Sequence, residues 1–140
     1  MDKTKVKDLM SKKLIQTSIN STVDEVALLM VENQVGSVLI YEDQRPIGII
    51  TKRDMLERIL LDCKNPCDVK AGEIASKNLI SISPNCTIKE ALMLMYKHKV
   101  RRIPVIGKDE NEIIGIITTH DLISAYNSLD IRLRNPSSSG

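Results

Sequence analysis

One stretch of this chain has the residue types and spacing to do chemistry, and it is written twice. Gly48-Ile49-Ile50-Thr51-Lys52-Arg53-Asp54 recurs as Gly115-Ile116-Ile117-Thr118-Thr119-His120-Asp121. In each copy a β-branched Gly-Ile-Ile run predicts the end of a buried strand. The Thr that follows is a good helix N-cap, and the Asp three places on falls in the first helical turn. Such a strand-to-helix turn presents backbone N–H groups to a phosphate, beside a carboxylate suited to a ribose diol. Thr-x-x-Asp is also close to a capping box, and capping alone selects the same residues. The duplication weighs toward a ligand.

The two copies differ in their neighbours. Arg101 and Arg102 precede the strand that leads to the second motif, and Gly36 and Ser37 hold the matching places in the first repeat. An arginine there can make a charge-assisted, bidentate contact to phosphate. The alternative is a pair of solvated arginines at a helix end, favourable to its dipole. Lys52 and Arg53, inside the first motif, could compensate in part there. His120 lies within the second motif, and His98 is expected at the exposed end of a helix.

The elements that must position these residues repeat as well. Ser11, Lys12, Leu14, Ile15, Ser18, Thr22, Glu25, Leu29, Met30 and Val35 recur 65 places on, from Ser76 to Val100. From Ile47 onward the shift is 67, as from Gly48 to Gly115, and the two extra residues fall in a polar turn at 107–112. Thr22-x-x-Glu25 and Thr87-x-x-Glu90 are capping boxes that open helices. Val23, Val26, Ala27, Met30 and Val31 keep helical spacing after the first, as do Ile88, Ala91, Leu92, Met95 and Tyr96 after the second. Strands are expected at 14–19 and 79–82, hairpins at 38–50 and 103–117, and motif helices at 52–62 and 119–129. Residues 6–10 and 69–75 read as short helical lead-ins. Leu28, Leu29, Met93 and Leu94 widen the helical stripes beyond one buried face, which predicts burial on a second side. The repeats span 6–64 and 69–130 with a linker between, and the tail at 134–140 is expected to be disordered.

Composition narrows the field. The chain has 140 residues, 42% hydrophobic and 27% charged, with a net charge of +2. An aromatic share of 2% leaves an aliphatic core and few platforms for stacking bases. The charge balance argues against nucleic acid. No stretch approaches the roughly 18 to 20 apolar residues that span a bilayer. Cys63, Cys67 and Cys86 form no metal-ligand pattern and read as free thiols in a reducing cytoplasm. Neither a nucleophilic triad nor a Gly-x-x-x-x-Gly-Lys loop is present, so an enzyme is not expected.

Taken together, the doubled Gly-Ile-Ile-Thr-x-x-Asp, the Thr-x-x-Glu helix starts and Arg101-Arg102-Ile103-Pro104-Val105 resemble a tandem pair of CBS (cystathionine β-synthase) domains, a Bateman module, here stand-alone. The resemblance implies an α+β or α/β fold of two pseudo-symmetric β-α-β-β-α repeats packed sheet to sheet. It also implies binding of AMP, ADP, ATP or S-adenosylmethionine in clefts between the repeats, as a regulatory ligand rather than an obligatory cofactor. Asp54 and Asp121 would accept from ribose hydroxyls, with Thr51 and Thr118 beside them. Ile15, Thr17, Ile80, Ile82 and Pro104 would flank the adenine. A cytoplasmic homodimer that senses a ligand and regulates a protein partner is the expected function. The alternative is a ligand-independent dimerisation or partner-docking module.

Overall fold

The computed structural model describes residues 3–109 and 111–134, with side chains to residue 127. Its architecture is mixed α+β, in two compact units: residues 13–79, and residues 80 onward together with the segment before 13.

In the first unit, β1 (Gln16–Ser18) pairs in parallel with β2 (Ser37–Glu42), and β2 pairs antiparallel with β3 (Arg45–Thr51). Asp43 and Gln44 both adopt left-handed backbone at the β2–β3 turn, the conformation that matches strand twist in a two-residue hairpin loop. Between β1 and β2 runs α2 (Val23–Asn33), whose Val23, Val26 and Met30 are buried at the spacing expected of one face. They meet Val38, Ile40 and Ile50 of the sheet. After β3 the chain makes α3 (Lys52–Met55), then widens into a π-helical turn over Leu56–Leu60, closed by Leu61 N–H to the Leu56 carbonyl at 2.9 Å. A short 3-10 turn (Pro66–Asp68) leads to α4 (Ala71–Ile74).

The other unit repeats the plan with α5 (Ile88–His98), β4 (Arg102–Ile106), β5 (Ile113–Thr118) and α6 (Thr119–Arg134). Its first strand is missing. The strand expected at 79–82 is a single parallel bridge between Ile82 and Val105, and that expected at 14–19 shortens to β1. A missing donor accounts for the difference between the repeats. In the first unit the ladder begins with Leu39 N–H donating to the Ile15 carbonyl at 2.9 Å. The residue 65 places after Leu39 is Pro104, which has no N–H to give to Ile80.

The lead-ins fold with the unit of the opposite repeat. In the unit that contains β4 and β5, α1 (Val6–Leu9) is anchored by Val6, fully buried, and by its N–H to the Cys86 carbonyl at 2.9 Å. Ser11 then pairs with Ile116 through both backbone bonds, 2.8 and 2.9 Å. In the first unit, α4 buries Ala71 and Ile74, and Ser76 pairs with Ile49 in the same way, 3.0 and 3.2 Å. Repeats aligned at 6–64 and 69–130 and units divided near residues 13 and 80 therefore cut the chain differently. The tail expected to be disordered, 134–140, lies outside the described residues apart from the backbone of Arg134.

Of the surplus apolar positions, Leu28 and Met93 are exposed, whereas Leu29 and Leu94 pack against the cores. Helical phase explains the split, since Leu29 and Leu94 follow the buried Val26 and Ala91 by three places, on the same face. Val31 on α2, and Leu92 and Tyr96 on α5, are exposed as well.

Candidate functional site

Each motif folds as a strand end feeding a helix start, and in each the Thr and Asp bind one another. Thr51 is the N-cap of α3: its N–H donates to Asp54 Oδ2 at 2.8 Å, and Asp54 N–H donates to Thr51 Oγ1 at 3.3 Å. The Thr51 hydroxyl also donates to Asp54 Oδ2, at 3.0 Å. In the second motif Thr118 N–H donates to Asp121 Oδ2 at 2.9 Å and Asp121 N–H to Thr118 Oγ1 at 3.1 Å. The capping box is therefore formed in both copies. A carboxylate has two oxygens, so capping consumes Oδ2 and leaves Oδ1 for another donor.

The neighbouring strand brings the differing residues alongside. Ser37 is opposite Thr51, and Arg102 is opposite Thr118. Lys52 N–H donates to the Gly36 carbonyl at 3.2 Å, as Thr119 N–H donates to that of Arg101 at 2.9 Å. Ser37 is buried, while Arg102 is half-buried and Arg101 exposed. Burial pulls the Arg102 pKa below its ordinary value and the Arg101 charge pulls it further, with Asp121 opposing both. A guanidinium remains charged under such a shift. Among the described residues no carboxylate lies within 4.0 Å of it. The result is a partly desolvated cation with an incomplete counter-charge, close to the second-motif carboxylate.

The remaining sequence candidates are placed as follows. Arg53 is paired with Glu57 on an exposed helix surface. The Lys52 side chain is exposed, at a groove lined by Ala27, Met30, Val31, Gln34 and Val35. His120 is exposed, 3.5 Å from Ser124 Oγ. Thr17 shares a 2.6 Å hydrogen bond with Ser21 in the first unit, where Ile15 is partly buried. Ile82 and Pro104 are buried and Ile80 half-buried in the other unit, joined by Ile82 N–H to the Pro104 carbonyl at 3.1 Å. Cys63 and Cys67 are exposed and Cys86 is half-buried, all as free thiols. Among the described residues no group of three His, Cys, Asp or Glu side chains is placed to hold a metal, and no helix is long and apolar enough to cross a membrane.

Two features near the motifs escaped the sequence reading. Arg58 lies beside Asp54, its Nε 4.0 Å from Oδ1, and donates through Nη1 to the Ile74 carbonyl at 2.8 Å. The i,i+4 spacing of Asp54 and Arg58 was the available signal. The second feature is the reason for the motif glycines. Neither has positive φ. A Cβ on Gly48 would meet the Ser76 carbonyl oxygen at 2.5 Å, and one on Gly115 would meet Met10 Sδ at 2.5 Å.

Known proteins resemble this chain in sequence and in fold. An uncharacterised protein of Methanopyrus kandleri, MK0525, is 35% identical over 88% of this chain, and the match spans 63% of that protein's length. The crystal structure of an uncharacterised conserved protein from Pyrococcus horikoshii superimposes with a TM-score of 0.81 at 31% identity, covering 90% of this chain and 94% of that one. The CBS domain pair of protein MJ0100, solved with 5′-methylthioadenosine and S-adenosylmethionine, shares the fold with a TM-score of 0.79 at 24% identity, over 89% of this chain and 97% of that one. The CBS domain family itself matches residues 6–61 and 71–128, so the two copies of the motif lie in two adjacent CBS domains and the chain belongs to that family.

Proposed function

We propose that the chain is a ligand-sensing regulatory module that binds an adenosine derivative, with Asp121 and Thr118 receiving the ribose and Arg102 the phosphate. The observation that carries this reading is the second motif. Its Asp keeps one carboxylate oxygen outside the capping box, and a partly desolvated arginine stands opposite its Thr. Arg101, exposed and adjacent, adds to the positive potential. Ile80 and Pro104, with Ile82, form the aliphatic side proposed for the adenine, and Ile15 and Thr17 are their counterparts for the first motif. The ligand is held rather than transformed.

A thermal-shift screen across AMP, ADP, ATP, S-adenosylmethionine, 5′-methylthioadenosine, NAD and guanine nucleotides tests this. A ligand at a hundred times its dissociation constant stabilises the native state by about 2.7 kcal/mol, enough to raise the melting temperature by several degrees. At least one adenosine compound is expected to do so, to exceed its guanine analogue, and to be recovered unchanged. No shift from any adenosine compound would sink the reading, and steady turnover lost in Asp121→Ala would show an enzyme.

A second reading, a dimerisation or partner-docking module, is favoured by the exposed apolar helix positions. Val31 is 75% exposed, Met93 62% and Tyr96 89%, a cost in water that a protein interface removes. In its ligand-independent form that reading excludes the first, but dimerisation is common to both, and we propose a homodimer. Light scattering at micromolar concentration is expected to give twice the chain mass for the wild type. Met93→Asp with Tyr96→Asp is expected to lower it. A monomeric wild type, with and without ligand, would exclude the dimer.

A further inference from the structure

We infer that Arg58 closes the first motif to ligand, so that each chain binds one adenosine ligand, at the second motif, and not two. This rests on the ligand reading above, and adds a residue that selects between the motifs.

The two carboxylates are equivalent in their caps and unequal beyond them. Asp54 spends Oδ2 on Thr51, and Oδ1 is the oxygen left for a diol. Arg58 Nε stands 4.0 Å from that oxygen. An ion pair at this distance, with the arginine side chain 45% exposed, is weak alone. The guanidinium is held in place by its other end, where Nη1 donates to the Ile74 carbonyl at 2.8 Å. That carbonyl belongs to the last residue of α4, itself buried in the core. A neutral ribose hydroxyl approaching that oxygen would meet a guanidinium held by the Ile74 carbonyl and lying 4.0 Å away.

The second motif lacks this device. Its residue 67 places after Arg58 is Ala125, whose side chain carries no donor. Among the described residues both carboxylates accept their hydrogen bonds at Oδ2, and Asp121 has no cation within 4.0 Å. The cation beside it is Arg102, on the adjacent strand, where the first unit has the uncharged Ser37. The backbone differs as well: the helix after the first motif breaks into a π-turn at Leu56, between Asp54 and Arg58, whereas α6 continues without one. One motif has an internal cation laid toward its carboxylate, and the other leaves its carboxylate open with a cation placed for an anion.

Calorimetry with AMP and with adenosine on the full chain reads the number of sites directly. Wild type is expected to bind one equivalent per chain. Arg58→Gln removes the charge and, its amide nitrogen ending where Nε stood, also gives up the bond to the Ile74 carbonyl; it is expected to bind two. Arg58→Gln with Asp54→Asn is expected to return to one. Arg58→Met, which keeps the aliphatic stem, is the second variant should glutamine perturb folding as judged by circular dichroism. Two equivalents in the wild type, or one in both single variants, would overturn the inference and leave the ligand reading standing. No binding of either compound by any variant, with no thermal shift from the wider adenosine series, would overturn both.

Discussion

Arg102→Ala is expected to weaken AMP roughly tenfold to a hundredfold while leaving adenosine nearly unchanged, since a hydrogen bond to a charged partner contributes roughly 1.5 to 3 kcal/mol. The guanidinium is half-buried and has no described carboxylate within 4.0 Å, so solvent screens it less than a surface charge. Only AMP presents a phosphate to it. Asp121→Ala should weaken both compounds, because both carry the ribose diol. That variant also removes the acceptor for Thr118 N–H, a capping loss of about 1 kcal/mol in stability. Asp121→Asn keeps a carbonyl for the cap and separates the two effects. Calorimetry with both compounds on all three variants decides the assignment. Equal losses of AMP and adenosine in Arg102→Ala would make this arginine an ordinary solvated charge.

The second large effect falls on stability. Gly48→Ala places a methyl group 2.5 Å from the Ser76 carbonyl oxygen and 3.2 Å from its carbon, both backbone atoms. Those atoms belong to the paired bridge between Ser76 and Ile49, so relief of the clash strains two hydrogen bonds. Overpacking of this kind costs roughly 1 to 3 kcal/mol. The loss of glycine's freedom in the unfolded chain returns only about 0.4 to 1 kcal/mol. Gly115→Ala meets the thioether of Met10 first, and a methionine side chain can rotate away. Urea midpoints are expected to fall in the order wild type, Gly115→Ala, Gly48→Ala. A Gly48→Ala midpoint at or above that of wild type would show that the bridge yields freely.

What the sequence revealed, and what it withheld, follows from the range of each interaction. Capping boxes, helix faces and hairpins are set by residues three or four apart or by strand alternation, and Thr51, Asp54, Thr118 and Asp121 took their expected places for that reason. The stand of Ser37 and Arg102 beside the two motifs was legible because the hairpin register is short-range. Arg58 was not, since its hold on the Ile74 carbonyl spans 16 residues and a π-turn that no local pattern announces. The shrinkage of the strand at 79–82 was written in Pro104 but needed the parallel register to be seen. Gly48 looked like the tail of a strand, and its reason is the backbone of Ser76 crossing above it.

The exchange of lead-ins also sets an order of events as the chain is made. The unit from 13 to 79 is one continuous segment, complete once residue 79 has left the ribosome. The other unit joins the opening of the chain to its later part, with Val6 held by Cys86 and Ser11 by Ile116. Its assembly therefore requires a long loop to close, and loops of that length make contacts slow to form. Synthesis in the N-to-C direction thus leaves α1, with the fully buried Val6, waiting without a partner until Cys86 has been made.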